Sequence, residues 1–372
     1  MKKYFVMAAL AVSTLTASAQ SVVPKWINNV KLSGFGIVQY TYNGQENNES
    51  NSFNLRLARL ALDGRAFDDW YWKAQIQFNG NTSTLGSSPK LVDLFIEWQK
   101  YDFLRVKAGQ FKNPFTYENP MHPIDQGFMS YSQVISKFAG FSDRAGAHSS
   151  NGRDIGVQLQ GDFLKNASGR NLIHYQVGVF NGQGINVKDV DQQKNIIGGA
   201  WVTPVEGMRL GAFGWIGSYA RKGTSASEGI TNTTLRRLQQ RRYAFSAEYK
   251  VDDWTFRSEY VHSTGYAFAK AMVNTNDASA KDITLSSNGD KSQGVYALII
   301  APIIKKKCHA KARYDMYQPS KGAEKQRTQY EIGLDYYFNK NICLTGEYAY
   351  IHDRALADPN YSMIDVELSY RF

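Results

Sequence analysis

After residue 20 this 372-residue sequence contains no apolar run long enough to cross a membrane as a helix. That excludes a helical membrane protein. Cysteine is nearly missing too. Cys308 and Cys343 are the only two, and the alternation described below sets them on opposite faces of their strands, so no disulfide is expected. The six histidines are scattered and neither cysteine has a ligand neighbour, which leaves no metal-binding spacing. No glycine-rich phosphate cradle opens a helix, and no nucleic-acid motif is present. No cofactor, metal or nucleic-acid partner is therefore expected.

Aromatic residues are plentiful instead. The chain holds 20 Phe, 23 Tyr and 7 Trp, with 31 Gly and only 9 Pro, on a polar average. A membrane barrel gives this composition, because alternation dilutes its apolar residues while interfacial girdles draw on Tyr and Trp. A large secreted β-sandwich would give a similar average. The last residues sharpen the choice. Ile364, Val366, Leu368, Tyr370 and Phe372 fall on one face at period two, and Met363, Asp365, Glu367, Ser369 and Arg371 on the other. In a sandwich the charged row would face out. In a membrane barrel the apolar row meets lipid and the charged row lines the lumen. A final Phe372 on a closing strand resembles the assembly signal of bacterial outer-membrane barrels.

The same alternation recurs along the chain. Asp69–Asn79 sets Trp70, Trp72, Ala74, Ile76 and Phe78 against Tyr71, Lys73, Gln75 and Gln77. Lys90–Lys100, Phe103–Phe111, Arg153–Phe163, Asn171–Asn181, Lys194–Thr203, Gly207–Tyr219, Arg241–Lys250, Trp254–Ser263, Gln293–Ala301, Lys305–Tyr317, Gln329–Phe338 and Ile342–His352 read likewise, after Lys31–Tyr42 and Phe53–Ala66. The pattern predicts an all-β, transmembrane antiparallel β-barrel of about sixteen strands, an even number. Tight turns at Asp68, Tyr101, Pro204, Asp252, Pro302 and Asn339 alternate with longer connections, as a barrel with short periplasmic turns and long external loops requires. A sandwich has no reason to sort its loops so. From Lys112 to Gly152 the alternation fails, in a segment punctuated by Pro114, Pro120 and Pro123. Ala220–Gln240 and Thr264–Ser292 also read as loops.

The first residues read as a Sec signal peptide. Lys2 and Lys3 precede an apolar Phe5–Val12, and Ala17-Ser18-Ala19 offers small residues for cleavage. The expected organisation is a signal peptide over 1–19 and one barrel domain over 20–372, exported to the outer membrane. The formal net charge of +10 points to small anionic solutes or to anionic outer-membrane lipid such as lipopolysaccharide as partners.

Several segments, in order and at consistent spacing, carry a family resemblance. RVKAGQFKNPF (Arg105–Phe115), NGRDIGVQLQG (Asn151–Gly161) and YQVGVFNGQG (Tyr175–Gly184) resemble the phosphate-selective porin O and P family, and RLARLALDG (Arg56–Gly64) and ARYDMY (Ala312–Tyr317) extend the likeness. The resemblance implies a sixteen-stranded, usually trimeric porin with loops folded into the lumen and basic residues along an anion path. It puts Lys112–Gly152 where the long third external loop narrows the pore. Two departures bear on selectivity: acids such as Asp63, Asp93, Glu97 and Glu331 share the inferred lumen, and Gly198–Trp201 lacks an arginine that many relatives carry.

The candidate anion path starts from inward-facing cations: Arg59 on one strand, Arg105 and Lys107 on another, and Lys307, Lys311 and Arg313 on a third. Neighbouring inward positions stand about 7 Å apart along a strand, close enough to pass an anion on without trapping it. Lys112, Lys137, Arg144 and Arg153 lie in or beside the third loop. The plain alternative is that such charges solvate the wall and pair with nearby acids. Arg221, Lys222, Arg236, Arg237, Arg241 and Arg242 would gather anionic solute at the mouth, clamp lipopolysaccharide phosphates, or simply be solvated. His148-Ser149-Ser150-Asn151-Gly152 resembles the H-x-S-N-G motif of outer-membrane phospholipase A. It lacks the lipid-facing strand context that serine chemistry there would need, so no enzymatic activity is expected. The reading is a passive porin for small anions such as phosphate. A broad-specificity pore for small polar solutes is the alternative.

Overall fold

The computed structural model describes residues 24, 26–79, 89–141, 151–225, 230–265 and 291–372, with backbone alone for 221–225, 230–234 and 265 and for residue 236. Residues 1–19, Arg144 and the 148–150 motif, along with the side chains of Arg221, Lys222 and Arg236, lie outside what is described. Among the described residues sixteen strands form one closed antiparallel barrel. They are β1 (Ile27–Asn43), β2 (Ser50–Ala66), β3 (Trp70–Gln77), β4 (Lys90–Tyr101), β5 (Leu104–Lys112), β6 (Arg153–Lys165), β7 (Asn171–Phe180) and β8 (Asn195–Val202), then β9 (Met208–Ser225), β10 (Ile230–Val251), β11 (Trp254–Gly265), β12 (Lys291–Ile304), β13 (Cys308–Gln318), β14 (Arg327–Asn339), β15 (Ile342–Asp353) and β16 (Asn360–Arg371). Each strand pairs with its neighbour in sequence. β16 returns to β1, from Phe35 opposite Arg371 to Asn43 opposite Met363, so no edge is left open.

Alternation decides which face each residue takes. On β16 Ile364, Val366, Leu368 and Tyr370, and Phe372 just past its end, are exposed on the outside, while Glu367 and Ser369 are buried within. On β13 His309, Lys311, Arg313 and Asp315 are all buried inside. A polar interior wrapped in an exposed apolar exterior is the inverse of a soluble protein, and it fits a wall whose outer solvent is lipid. Cys308 and Cys343 are both free. The outward row of β16 carries a prediction. Val366→Arg in mid-strand should destabilise the barrel by about 2–4 kcal/mol, and Phe372→Arg at the rim by about 1 kcal/mol or less, in urea unfolding from lipid vesicles. Equal costs at the two positions would overturn this assignment of the lipid-facing band.

Where the structure departs from the sequence reading, backbone geometry explains it. The turn expected at Pro302 sits at Lys305–Lys307 instead, with Lys306 at a positive φ of 60°. Lys307 therefore lies exposed in a turn, not on the inward face of β13. Pro302 is accommodated because the β12–β13 ladder shifts register between Pro302 and Ile304. Residues 220–225 and 230–240, expected as loop, instead extend the β9–β10 pair. In β2 a bulge opposite Ile37/Val38 flips the parity. Leu55 and Leu60 are thus both outward, while Arg56 and Arg59 both turn inward.

Candidate pore interior

The β5–β6 connection, residues 113–152, is the third of the longer loops, and its described part crosses the barrel to the far wall. Three carboxylates on alternate strands there accept its backbone N–H groups. Glu259 of β11 accepts from Tyr117 at 2.7 Å and from Glu118 at 2.9 Å. Asp315 of β13 accepts from Gln133 at 2.7 Å, and Glu347 of β15 from Met129 at 3.0 Å. Cations on the same wall hold its carbonyls: Arg242 donates to Phe138, Arg257 to Gln126, Lys311 to Gly127 and Arg313 to Ser130. Arg371 pairs with Asp125 at 2.8 Å. A loop in a lumen cannot leave its peptide groups bare, and here charged side chains answer them from both signs.

The middle of the loop is a short helix, α1 (Gln133–Phe138), capped by Ser132, whose side chain accepts from the N–H of Ile135. Val134, Ile135 and Phe138 are buried against Tyr296, Leu298 and Val261 of the far wall, in one core that also holds Phe115, Phe213 and Trp215. Packed apolar side chains thus fill the lumen beside β8–β12, and a cavity lies on the β1–β7 side.

That space is a cavity of about 310 Å³ lined by Arg59, Lys73, Lys107, Lys112 and Arg153, with Phe35, Phe95 and Phe111 between them. Its cations are not equally engaged. Arg153 forks onto Asp93 at 2.6 and 3.2 Å, and Lys107 reaches Glu97 at 3.5 Å while lying over the rings of Phe95 and Phe111. Arg59 donates from Nε to the side-chain carbonyl of Gln77, at 3.0 Å, and sits over Phe35. Lys112 donates to the Asn119 carbonyl and to Tyr131. Among the described residues, Arg59, Lys73 and Lys112 have no carboxylate within 4 Å. His122 lines the same space edge-on to Phe35 at 4.4 Å. Burial depresses its pKa to about 4 despite Asp125 nearby, so it is neutral at pH 7. Because the folded value lies below the unfolded one of about 6.5, the stability linked to His122 is whole above that pH and is lost as pH falls toward 4. His122 should therefore contribute no change in channel selectivity between pH 8 and pH 6. A shift there that His122→Gln abolishes would contradict the neutral assignment.

The remaining candidates take other places. Arg105 pairs with Asp162, which also contacts His174 Nδ1 at 2.7 Å. Lys137 lies over the ring of Tyr317. Lys311 is held between Asp335 at 2.8 Å and Glu347 at 2.6 Å, and Arg313 forks onto Glu331 at 2.5 and 2.9 Å. Lys311 and Arg313 are thus fastened to acids and to the loop, across the barrel from the basic cavity. Sequence reasoning did not select Lys73, although its inward position on the most regular strand was visible. A second cavity of about 210 Å³ below the loop is lined by Asp125, Asp253, Asp335 and Glu367 along with Arg257 and Lys250.

Residues 33–195 match the family model for phosphate-selective porin O and P. No curated protein matches the sequence significantly. Among solved structures, a loop L8 deletion mutant of OmpT, an outer membrane protein of Vibrio cholerae, aligns with a TM-score of 0.63 at 13% identity, over 92% of this chain and 99% of that one. An anion-selective porin from Comamonas acidovorans aligns with a TM-score of 0.61 at 15% identity, over 92% and 99%. The outer membrane channel DcaP of Acinetobacter baumannii gives 0.59 at 13% identity, over 92% and 97%. At these identities the likeness is one of fold.

Proposed function

Taking residues 33–195 as phosphate-selective porin O and P sequence, we propose that the chain is an outer-membrane porin through which small anions diffuse passively. The N-terminal residues serve as its export signal, and the working form is a homotrimer like the trimer named for one OmpT structure. The observation that carries the reading is the basic cavity beside the third loop, where Arg59, Lys73 and Lys112 have no carboxylate within ion-pair distance among the described residues. Positive charge without counter-charge, between low-dielectric walls, raises the local concentration of anions. Arg153 and Lys107 add directional donors, but their acids cancel part of the field. Phosphate is one solute within this class. The acids sharing the lumen favour a modest anion preference over strict phosphate selectivity.

Single-channel recording of the purified protein in planar lipid, under a potassium chloride gradient and then a potassium phosphate gradient, tests this. The expected reversal potential reports anion preference in both salts. A channel that prefers potassium, or a barrel that conducts nothing, overturns the reading.

A further inference from the structure

The outer wall of β12–β15 has a depression among tyrosines. Across these strands Ala297, Tyr314, Tyr330 and Tyr350 stand opposite one another in one row of the register, and Ile299, Ala312, Ile332 and Tyr348 in the next. Ala297 and Ala312 stop short beside Ile299, Tyr314, Tyr330, Ile332, Tyr348 and Tyr350, which line the same depression. The result is an almost wholly apolar groove of about 540 Å³ that spans four strands.

The same face becomes polar toward the outer end of the barrel, where the long loops lie. Above Ala297 on β12 stand Val295, then Gln293, then Lys291. Gln293 donates to Gln318 at 2.7 Å and accepts from the Tyr260 hydroxyl at 3.0 Å. Lys291 is level with Thr264 of β11, and Thr264 with Arg241 of β10. Both cations are exposed on the outside, since their neighbours Ser292 and Arg242 are the buried, inward residues. Among the described residues neither has a carboxylate within 4 Å.

We propose that this face is a seat for a phosphorylated, multiply acylated glycolipid of the outer leaflet, with acyl chains in the alanine groove and phosphates on Arg241 and Lys291. The distances agree. Six residues from Lys291 to Ala297 span about 20 Å of strand. At the usual tilt of about 45° that is about 14 Å of depth, roughly half of a hydrocarbon core about 30 Å thick. Two strand spacings separate Arg241 from Lys291, about 10 Å, which suits two phosphates on one sugar unit better than the single phosphodiester of a glycerophospholipid. The linked amides of Gln293 and Gln318, with the Tyr260 hydroxyl, offer donors and acceptors to sugar hydroxyls. A groove four strands wide receives more than one chain. None of this depends on what passes through the lumen.

Native mass spectrometry of the detergent-purified full barrel tests the seat with three probes: a diphosphorylated, hexa-acylated glucosamine disaccharide, its dephosphorylated form, and phosphatidylglycerol. The parent should retain the diphosphorylated glycolipid about tenfold more than either of the others. Arg241→Glu with Lys291→Glu, and separately Ala297→Trp with Ala312→Trp, should each lower that retention about tenfold while heat-modifiable migration and conductance stay unchanged. Arg241→Gln with Lys291→Gln serves if the acidic pair does not assemble. Undiminished retention in both kinds of variant, or equal retention of phosphatidylglycerol, overturns the proposal. So does a groove variant that changes the number of copies per assembly and leaves lipid binding intact, because the groove would then seat a second copy of this chain.

Discussion

Arg59→Glu combined with Lys73→Glu is expected to turn the channel from anion preference to cation preference. Both positions line the basic cavity, and neither has a carboxylate within 4 Å among the described residues. Their charges therefore act on the passing ion, not on a neighbour. At an effective dielectric constant near 20, one unit charge about 4 Å from another is worth about 4 kcal/mol before salt screening. Even a quarter of that, applied twice with reversed sign, changes the anion-to-cation permeability ratio by more than tenfold, since each 1.4 kcal/mol is a factor of ten. The same reversal at exposed Lys307, in a turn at the barrel end, should move the reversal potential little, and less still at high salt as the Debye length falls. The measurement is the reversal potential in a potassium chloride gradient. A cavity variant that keeps its anion preference would disconnect the basic cavity from conduction.

Arg313→Met should cost about 3–5 kcal/mol, because it strands buried Glu331 without its partner. It also removes the donor to the Ser130 carbonyl, so a looser third loop with noisier, larger conductance is expected. The double variant Arg313→Met with Glu331→Met separates the two effects. It removes the stranded charge and should regain most of the stability, while the loop stays unfastened and the conductance change persists. Thermal unfolding followed by gel migration reads the first effect and single-channel current the second. If conductance returns to the parent value along with stability, Arg313 does not hold the loop.

The strands were legible because each carries a wet and a dry face, and period-two alternation is a local signal. Residues such as Val366, Ile332 and Trp72 announce their side without knowledge of any partner. The pore interior was legible only in part. Lys311 and Arg313 were readable as inward cations, but their partners Glu331 and Asp335 become neighbours only through β13–β14 pairing. The Ser130 and Gly127 carbonyls lie more than 180 residues away. Arg56 was hidden by the β2 bulge, a backbone feature without a fixed residue signature. Lys307 was misplaced because Pro302 was read as the turn, whereas a shift in the ladder lets proline stay within the strand. The match over residues 33–195 covers the strands that frame the basic cavity, which is where the family likeness was strongest in the sequence.

The hold on the third loop also sets an order of events. Its partners Glu259, Asp315, Glu347 and Arg371 lie 142, 182, 218 and 246 residues from the loop groups they meet. Contacts that distant in sequence are slow to form, because the intervening chain must be organised before they contribute anything. The four belong to β11, β13, β15 and β16, all in the last third of the chain. The lumen therefore acquires its filling only after the wall has nearly closed, and a barrel caught before that point would be a wide, empty ring.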